Sequence, residues 1–448
     1  MPGSPYRIVI AGAGIAGLET LLALRVLTGP RAHITLITDA ARDEDRPMSV
    51  VEPFDRGIAG SRDIIAIAAD QDAHLHFDRL VAVEPARRTA ICGGGEHPFD
   101  ALVVATGAHP EVVLAGATTF RGPRDVAAVR AVRDDLRSGA ADSAAFVIPS
   151  LSAWPIPLYE LAMMTGADLR AHGRDVPLAI ITPERTPLEL FGPAAAEALT
   201  PLMEQRGVRM VTHSRAVSVG DGVVELTDGA PVRADRVVTV PVARGRPPAG
   251  LASDRHGFLL CDAHGRVSGA PHVFAAGDAT AFPLKQGGLA AQQADAVAEA
   301  IASDMGVAVD PKPFVPIIRG MLLIGGQPLY LRAEFGRGTG TAATVQLRSD
   351  ASARALWWPP AKVAARYLGP YLASARPSRL AAEPLVDRGA PTAGDPRASL
   401  ELALALADAD ATWGAYDAAV RALDAAQAAS GTLPPEYVDK RAEWLAAR

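Results

Sequence analysis

A chain of 448 residues is too long for one hydrophobic core and predicts about two to four domains. Its 49% hydrophobic and 21% charged residues are ordinary for a folded protein, and a formal net charge of −6 gives no electrostatic reason to expect a nucleic-acid partner. No window holds the ~18 uninterrupted apolar residues of a membrane span, and the first residues lead into a strand without a separate apolar leader, so a cytoplasmic protein is expected.

The first predicted strand, residues 7–11, turns at once into Gly12-Ala13-Gly14-Ile15-Ala16-Gly17 and then into an apolar helical segment from Leu18 to Leu27. In that setting the glycines have separate roles. Gly12 permits a tight turn, Gly14 lets a pyrophosphate approach the backbone, and Gly17 lets helix and strand pack closely. The free N–H groups and positive dipole end of the helix face the phosphates. A second strand, residues 33–38, ends at Asp39, 22 residues after Gly17. A ribose-binding acid is expected roughly 20 residues on. The stretch therefore predicts a dinucleotide site. Arg46, in the loop that follows, can reach a cofactor phosphate or adenosine group, or can be a solvated arginine.

Residues 61–70 read as a short amphipathic helix, and two strands are expected around 73–92, with Gly93-Gly94-Gly95 as a hairpin breaker. A buried strand then ends in Ala105-Thr106-Gly107, a small-residue turn that can pass close to a cofactor. Far downstream a strand from Pro271 ends in Gly277-Asp278, where the carboxylate can bind a hydroxyl or the pyrophosphate side of a flavin dinucleotide. Lys285-Gln286-Gly287 then opens a helix to about Ser303.

These three motifs, in this order, resemble the flavoproteins with two dinucleotide-binding domains, the pyridine nucleotide–disulfide oxidoreductase superfamily. The nearest branch holds type II NADH dehydrogenases and sulfide:quinone oxidoreductases, and the resemblance covers about residues 5–335. It implies an α/β fold of two Rossmann-like three-layer ββα domains, with FAD as cofactor. An FAD domain (1–112 and 243–312) is interrupted by an NAD(P)-like domain (113–242), followed by an α+β interface region (313–374), a linker (375–397) and a helical tail (398–448). The resemblance also implies that the helix after Gly277-Asp278 points its N-terminus at the flavin ring, where it stabilises negative charge; Lys285 would add a full charge, unless it is a surface lysine.

The pattern breaks in the second domain. After a helix over 124–138 and a strand over 144–148, the second glycine turn of an NAD-binding relative is replaced by Pro149-Ser150-Leu151-Ser152-Ala153-Trp154-Pro155-Ile156-Pro157, without a glycine. Proline removes backbone donors, and Trp154 adds bulk where a pyrophosphate should nestle. Pro157 suits the first position of a helix through Met164, and Glu184, just past the strand 178–182, reads as a loop residue rather than a ribose ligand. Cys92 and Cys261 are 169 positions apart and read as structural thiols; neither matches the cysteine pairs on which thiol-based relatives depend. His109 reads as a structural group near the junction of the cofactor domains, and no histidine spacing makes a metal set.

Residues 314–332 read as the first strands of the interface region, and residues 356–368 as a short amphipathic helix broken by Pro370. Packing against the flavin domains is the reading preferred for this helix over peripheral attachment to a membrane. The Trp413-Gly414-Ala415-Tyr416 stretch resembles part of a tetratricopeptide helix pair, which alone is too short for a solenoid and would dock on the body or bind a protein partner. The leading expectation is an FAD-dependent oxidoreductase that passes electrons from an unassigned two-electron donor to a quinone or similar acceptor, with an interface region that in relatives shapes the acceptor pocket or a homodimer contact. Two readings stand beside it: use of NAD(P)H through a non-standard pocket, and a non-catalytic, redox-responsive scaffold acting through the tail.

Overall fold

The computed structural model describes residues 5–335, 346–373 and 386–387, together with residues 420, 423–424, 427, 433 and 435–446. The linker and most of the predicted tail lie outside the described residues; a helix at Pro435–Ala446 is the tail's main described element.

Two largely parallel sheets share one plan, the first carrying an antiparallel edge strand, Arg266–Val267. In the first, β1 (Tyr6–Ala11) lies between β2 (Ala32–Thr38) and β4 (Ala101–Val104), with β3 (His74–Phe77) beyond β2 and β9 (Ala270–Ala275) beyond β4. Alternation along β1 separates its two faces. Ile8 and Ile10 pack with Leu18 and Leu21 of helix α1 (Ile15–Thr28) and Val297 of helix α5 (Gly287–Asp304). Val9 and Ala11 pack with Val83 and Ala90 of a small antiparallel sheet on the other face.

The second sheet runs, in order, Thr118–Thr119, β8 (Arg236–Thr239), β5 (Ala144–Val147), β6 (Leu178–Ile181), β7 (Val208–Val211), all parallel. Ala144 and Phe146 face the helices α2 (Val126–Ser138), α3 (Ile156–Ala171) and α4 (Pro193–Arg206), while Ala145 and Val147 face a small sheet that includes Val224 and Val232. Because β9 follows this sheet in the chain yet pairs with β4, the second sheet is inserted into the first. A third, antiparallel sheet of β10 (Ile317–Leu322), β11 (Leu329–Phe335) and β12 (Gln346–Ser352) packs into the same core as α3. The architecture is the expected α/β fold.

Several local expectations need correction. Residues 61–70 split into a strand, Ser61–Asp63, and a helix, Ile64–Asp70, capped by Asp63, whose carboxylate accepts from Ala66 N at 3.0 Å. Three strands, not two, occupy 73–92 (His74–Phe77, Leu80–Glu84 and Thr89–Cys92), and Gly93-Gly94 turns from the last into a further strand, Gly95–Pro98. Helix α3 starts one residue before Pro157 and continues past Met164 to Ala171. Residues 356–367 are not helical. Trp357–Trp358 is a short strand, and the chain then runs as a strap to a six-residue helix, Leu368–Ala373, that contains Pro370. Periodicity misled here because Val363, Tyr367 and Tyr371 all pack into the α1/α5 core from irregular backbone and one helical turn.

Candidate functional site: a cleft where three sheets meet

The glycine turn takes the geometry that its sequence requires. Gly12 sits at φ +108°, and a Cβ there would lie 2.2 Å from Ala105 O; a Cβ at Gly17 would lie 1.8 Å from Gly12 O. By contrast nothing lies within 4 Å of a Cβ placed on Gly14, which opens α1 without a side-chain cap. Leu18 N is the first to bond back, to Gly14 O at 2.9 Å, so the N–H groups of residues 15–17 have no helical partner. Ala13 and Ala16 are buried beside the turn, and Ala105 backs onto it. Thr106 is exposed and Gly107 (φ +71°) has open space around it. Asp39 follows the end of β2 and pairs with Arg79, whose Nε donates to Asp39 Oδ2 at 2.7 Å. Nothing in the chain pattern pointed to Arg79.

The second strand end lies close by. Gly277 (φ +74°) is held by Gln293, whose Oε1 accepts from Gly277 N at 2.7 Å, and a Cβ at Gly277 would lie 2.9 Å from the Ala16 side chain. Asp278 faces a cleft of about 290 Å³; burial pushes its carboxyl up, opposed by the charges of Lys285 and Arg46. Among the described residues no hydrogen bond satisfies this carboxylate. Arg46 lines the same cleft as Asp278. Lys285 lines the cleft too, but its ammonium donates to Thr280 O and Phe282 O (2.7 Å) and lies 3.8 Å from the Phe258 ring centroid. Burial lowers it to about 8. Gln286 caps α5, accepting from Leu289 N at 2.8 Å and donating to Arg319 O at 3.2 Å. Gly287 is covered by Val363, whose methyl carbons would be 3.1 Å from a Cβ there.

Sequence reasoning missed a buried pair in the cleft wall, where Lys362 lines the cleft and Glu160 lies behind it. Lys362 Nζ donates to Glu160 Oε2 at 2.5 Å and to Pro47 O at 2.8 Å, and Glu160 Oε1 accepts from Leu323 N at 2.7 Å. The two side chains are 6% and 0% exposed. Burial drives both toward their neutral forms, raising Glu160 to about 7 and lowering Lys362, against their mutual attraction. The partners are 202 positions apart, so no local spacing could reveal them.

The far end of the cleft is the N-terminus of α3. Trp154 is half-buried there, edge-on to Phe191. Pro155 caps the helix and Pro157 is its second residue, so two of the backbone donors that an anion would need do not exist. Glu184 is buried; its Oε2 accepts from Tyr159 Oη at 2.7 Å and Thr182 Oγ1 at 2.9 Å, as suits a loop residue and not a ribose ligand. His109 lines the cleft on a short strand, His109–Glu111, paired with Val242–Arg244. Cys92 and Cys261 are free, outside the cleft lining, and burial pushes both thiols up to about 11.

The first turn thus offers open space, unpaired N–H groups and an acid at the next strand end, while Asp278 offers a half-buried carboxylate that, among the described residues, has no hydrogen-bond partner. These features fit FAD. Comparison with known proteins agrees. Residues 6–300 match the pyridine nucleotide-disulphide oxidoreductase family. The chain is 31% identical over 300 residues to a nitric oxide reductase FlRd-NAD(+) reductase of Aeromonas hydrophila, covering 62% of this chain and 71% of that protein. It is 26% identical over 295 residues to an NADH dehydrogenase-like protein of Mycobacterium tuberculosis, covering 61% and 73%. Among solved structures, the sulfide:quinone oxidoreductase of Aquifex aeolicus superposes with a TM-score of 0.67 at 19% identity, over 78% of this chain and 87% of that one. The chain therefore belongs to the pyridine nucleotide-disulphide oxidoreductase family and is an FAD-dependent oxidoreductase.

Proposed function

We propose that this protein passes electrons through its flavin between a two-electron donor that is not a nicotinamide dinucleotide seated on α3 and a quinone or similar acceptor. The observation that carries this reading is the contrast between two helix N-termini. The first keeps Gly12, Gly14 and Gly17 with open space over Gly14; the second has Trp154, Pro155 and Pro157 in the equivalent place. Residues 1–112 and 243–312 then form the FAD domain, 113–242 a retained fold without its phosphate cradle, and 313–374 the interface region.

Bound FAD supplies the two-electron chemistry. The chain supplies binding and electrostatics. The N–H groups of residues 15–17 would take the pyrophosphate, Asp39 would take a ribose hydroxyl, and Asp278 would accept from a hydroxyl within the cleft. Arg46, Lys285 and the N-terminus of α5 make the cleft positive, which favours an electron-rich ring. Lys362 lines the cleft and is held by the buried Glu160 behind it; burial raises Glu160 and lowers Lys362, so this pair can share a proton beside the cleft.

Anaerobic mixing of the FAD-loaded protein with NADH, NADPH and a menaquinol analogue tests the proposal by the colour of the flavin. Slow or no bleaching by either nicotinamide is expected. Fast bleaching by NADH would support the second reading, a non-standard nicotinamide pocket, which the name of the Aeromonas relative favours.

A further inference from the structure

The turn before α3 has been rebuilt around an indole. Ser152 N donates to Ser150 Oγ at 3.2 Å, the two hydroxyls are 2.9 Å apart, and Ala153 N donates to Ser150 O at 3.0 Å. This compact turn leaves Trp154 half-buried in the cleft wall. The fully buried Phe191 braces it, with ring centroids 6.0 Å apart and planes at 63°. Phe191 is itself confined: a Cβ at Gly320 of β10 would lie 2.7 Å from Phe191 Cζ and 2.5 Å from Ile156 Cδ1. A side chain at position 320 would displace both. Gly320 therefore leaves room for the aromatic stack that fixes Trp154.

The neighbouring walls are apolar, formed by Phe120, Ile156, Val240 and Met321, all buried. Cations also line the cleft: Arg46 and Lys285 act on Asp278, and Arg121, Arg319 and Lys362 are in its wall. An extended dinucleotide meets the wrong chemistry at the Trp154 end. Its pyrophosphate would face two prolines without N–H groups, and its ribose would find Glu184 already held by Tyr159 and Thr182. A flat aromatic molecule meets matching chemistry, because it can bury a large face against indole and aliphatic carbon while its polar atoms reach the cations of the lining.

The geometry points to a site for a planar, quinone-like aromatic ring, free of pyrophosphate, laid against Trp154, which makes Trp154 the specificity-determining residue of the cleft. The inference rests on the reading in which the cleft is where a reactant meets the flavin. It adds the class of reactant and the residue that selects it.

The test uses the full-length, FAD-loaded, oxidised protein and menadione as probe. Binding is followed by perturbation of the flavin absorption bands, and FAD content by absorbance confirms that each variant is folded. Trp154→Leu keeps apolar bulk without a ring and is expected to weaken menadione about tenfold, whereas Trp154→Phe stays within about threefold of the unaltered protein. ADP-ribose, which carries the pyrophosphate, is expected not to displace the probe. Equal affinity in Trp154→Leu, displacement by ADP-ribose, or no perturbation in the unaltered protein would each overturn the site. Reoxidation of the dithionite-reduced protein by menadione is read separately. If reoxidation fails while menadione binds through Trp154, the acceptor half of the functional proposal fails and the site stands. If reoxidation succeeds equally in Trp154→Leu with unchanged affinity, the reverse holds.

Discussion

Three glycines of one motif do three different physical jobs, and substitution by alanine separates them. At Gly14 φ is −78° and the space above the Cα is open, so an added methyl strains nothing in the protein itself. Gly14→Ala is expected to leave the melting temperature of the FAD-free chain unchanged while weakening FAD binding, because the methyl occupies the approach of the pyrophosphate. At Gly17 the methyl would meet Gly12 O at 1.8 Å, and strand and helix must part. Gly17→Ala should destabilise the FAD-free chain by an amount toward the upper end of the about 1–3 kcal/mol typical of overpacking. Calorimetry of the stripped protein and FAD titration check both. Wild-type FAD affinity in Gly14→Ala would remove the pyrophosphate from that turn. At this scale the sequence was highly legible: GxGxxG, Asp39 and Gly277-Asp278 announce themselves through local spacing. Lys285 was legible as a cation near the cleft, but its two carbonyl partners and the Phe258 ring were not, because a lysine's rotamer is set by tertiary neighbours.

Among the elements, α1 serves two masters. Its N-terminus addresses the cofactor, while Glu19, one turn on, is fully buried and accepts from Tyr367 N at 2.8 Å and Leu368 N at 2.6 Å. A carboxylate thus holds the strap that follows Trp357–Trp358. Asp295 of α5 faces Glu19, with Glu299 and Arg366 nearby, and burial combined with the Glu19 charge holds Asp295 well above the usual carboxylate range. Burial raises Glu19 from 4.5 to about 7, opposed by the backbone donors. In the folded state this group keeps a proton that the unfolded chain releases above pH 4.5, so stability falls as pH rises from about 4.5 to about 7 and then levels. Glu19→Gln, which keeps the acceptor for Tyr367 N and removes the titration, should flatten the fall of Tm across that window. An unchanged pH profile would show that Glu19 does not titrate there. None of this could be read from the sequence. A lone Glu inside an apolar helix gives no sign that its partners are backbone groups almost 350 residues away. The strap was mistaken for a helix for a related reason: aromatic residues at i and i+4 look helical whether the chain coils or merely lies along a groove.

Taken as a whole, the molecule joins its three sheets at one buried ion pair. Lys362 comes from the strap, Glu160 from α3 of the second sheet, Pro47 from the segment between β2 and β3 of the first, and Leu323 from just past the end of β10 in the third. Four parts of the chain therefore depend on two side chains with almost no access to water. Removing one partner leaves the other's charge buried and uncompensated, a change that typically costs about 3–5 kcal/mol. Lys362→Met and Glu160→Gln should each destabilise the protein on that scale, though Gln retains an acceptor for Leu323 N and should be the milder of the two. The double variant has no buried charge left, but it still leaves Pro47 O without its donor, a penalty of about 1–3 kcal/mol. It should therefore be more stable than the sum of the single changes predicts, yet less stable than the unaltered chain. Urea unfolding of all four proteins, loaded with FAD, gives the coupling directly. Strict additivity would mean that the pair is screened by water and is not the joint between the sheets. A positive coupling accompanied by loss of FAD in the single variants would place that joint in the wall of the cofactor cleft, where disturbing the packing of the sheets and disturbing the electrostatics of the flavin are the same event.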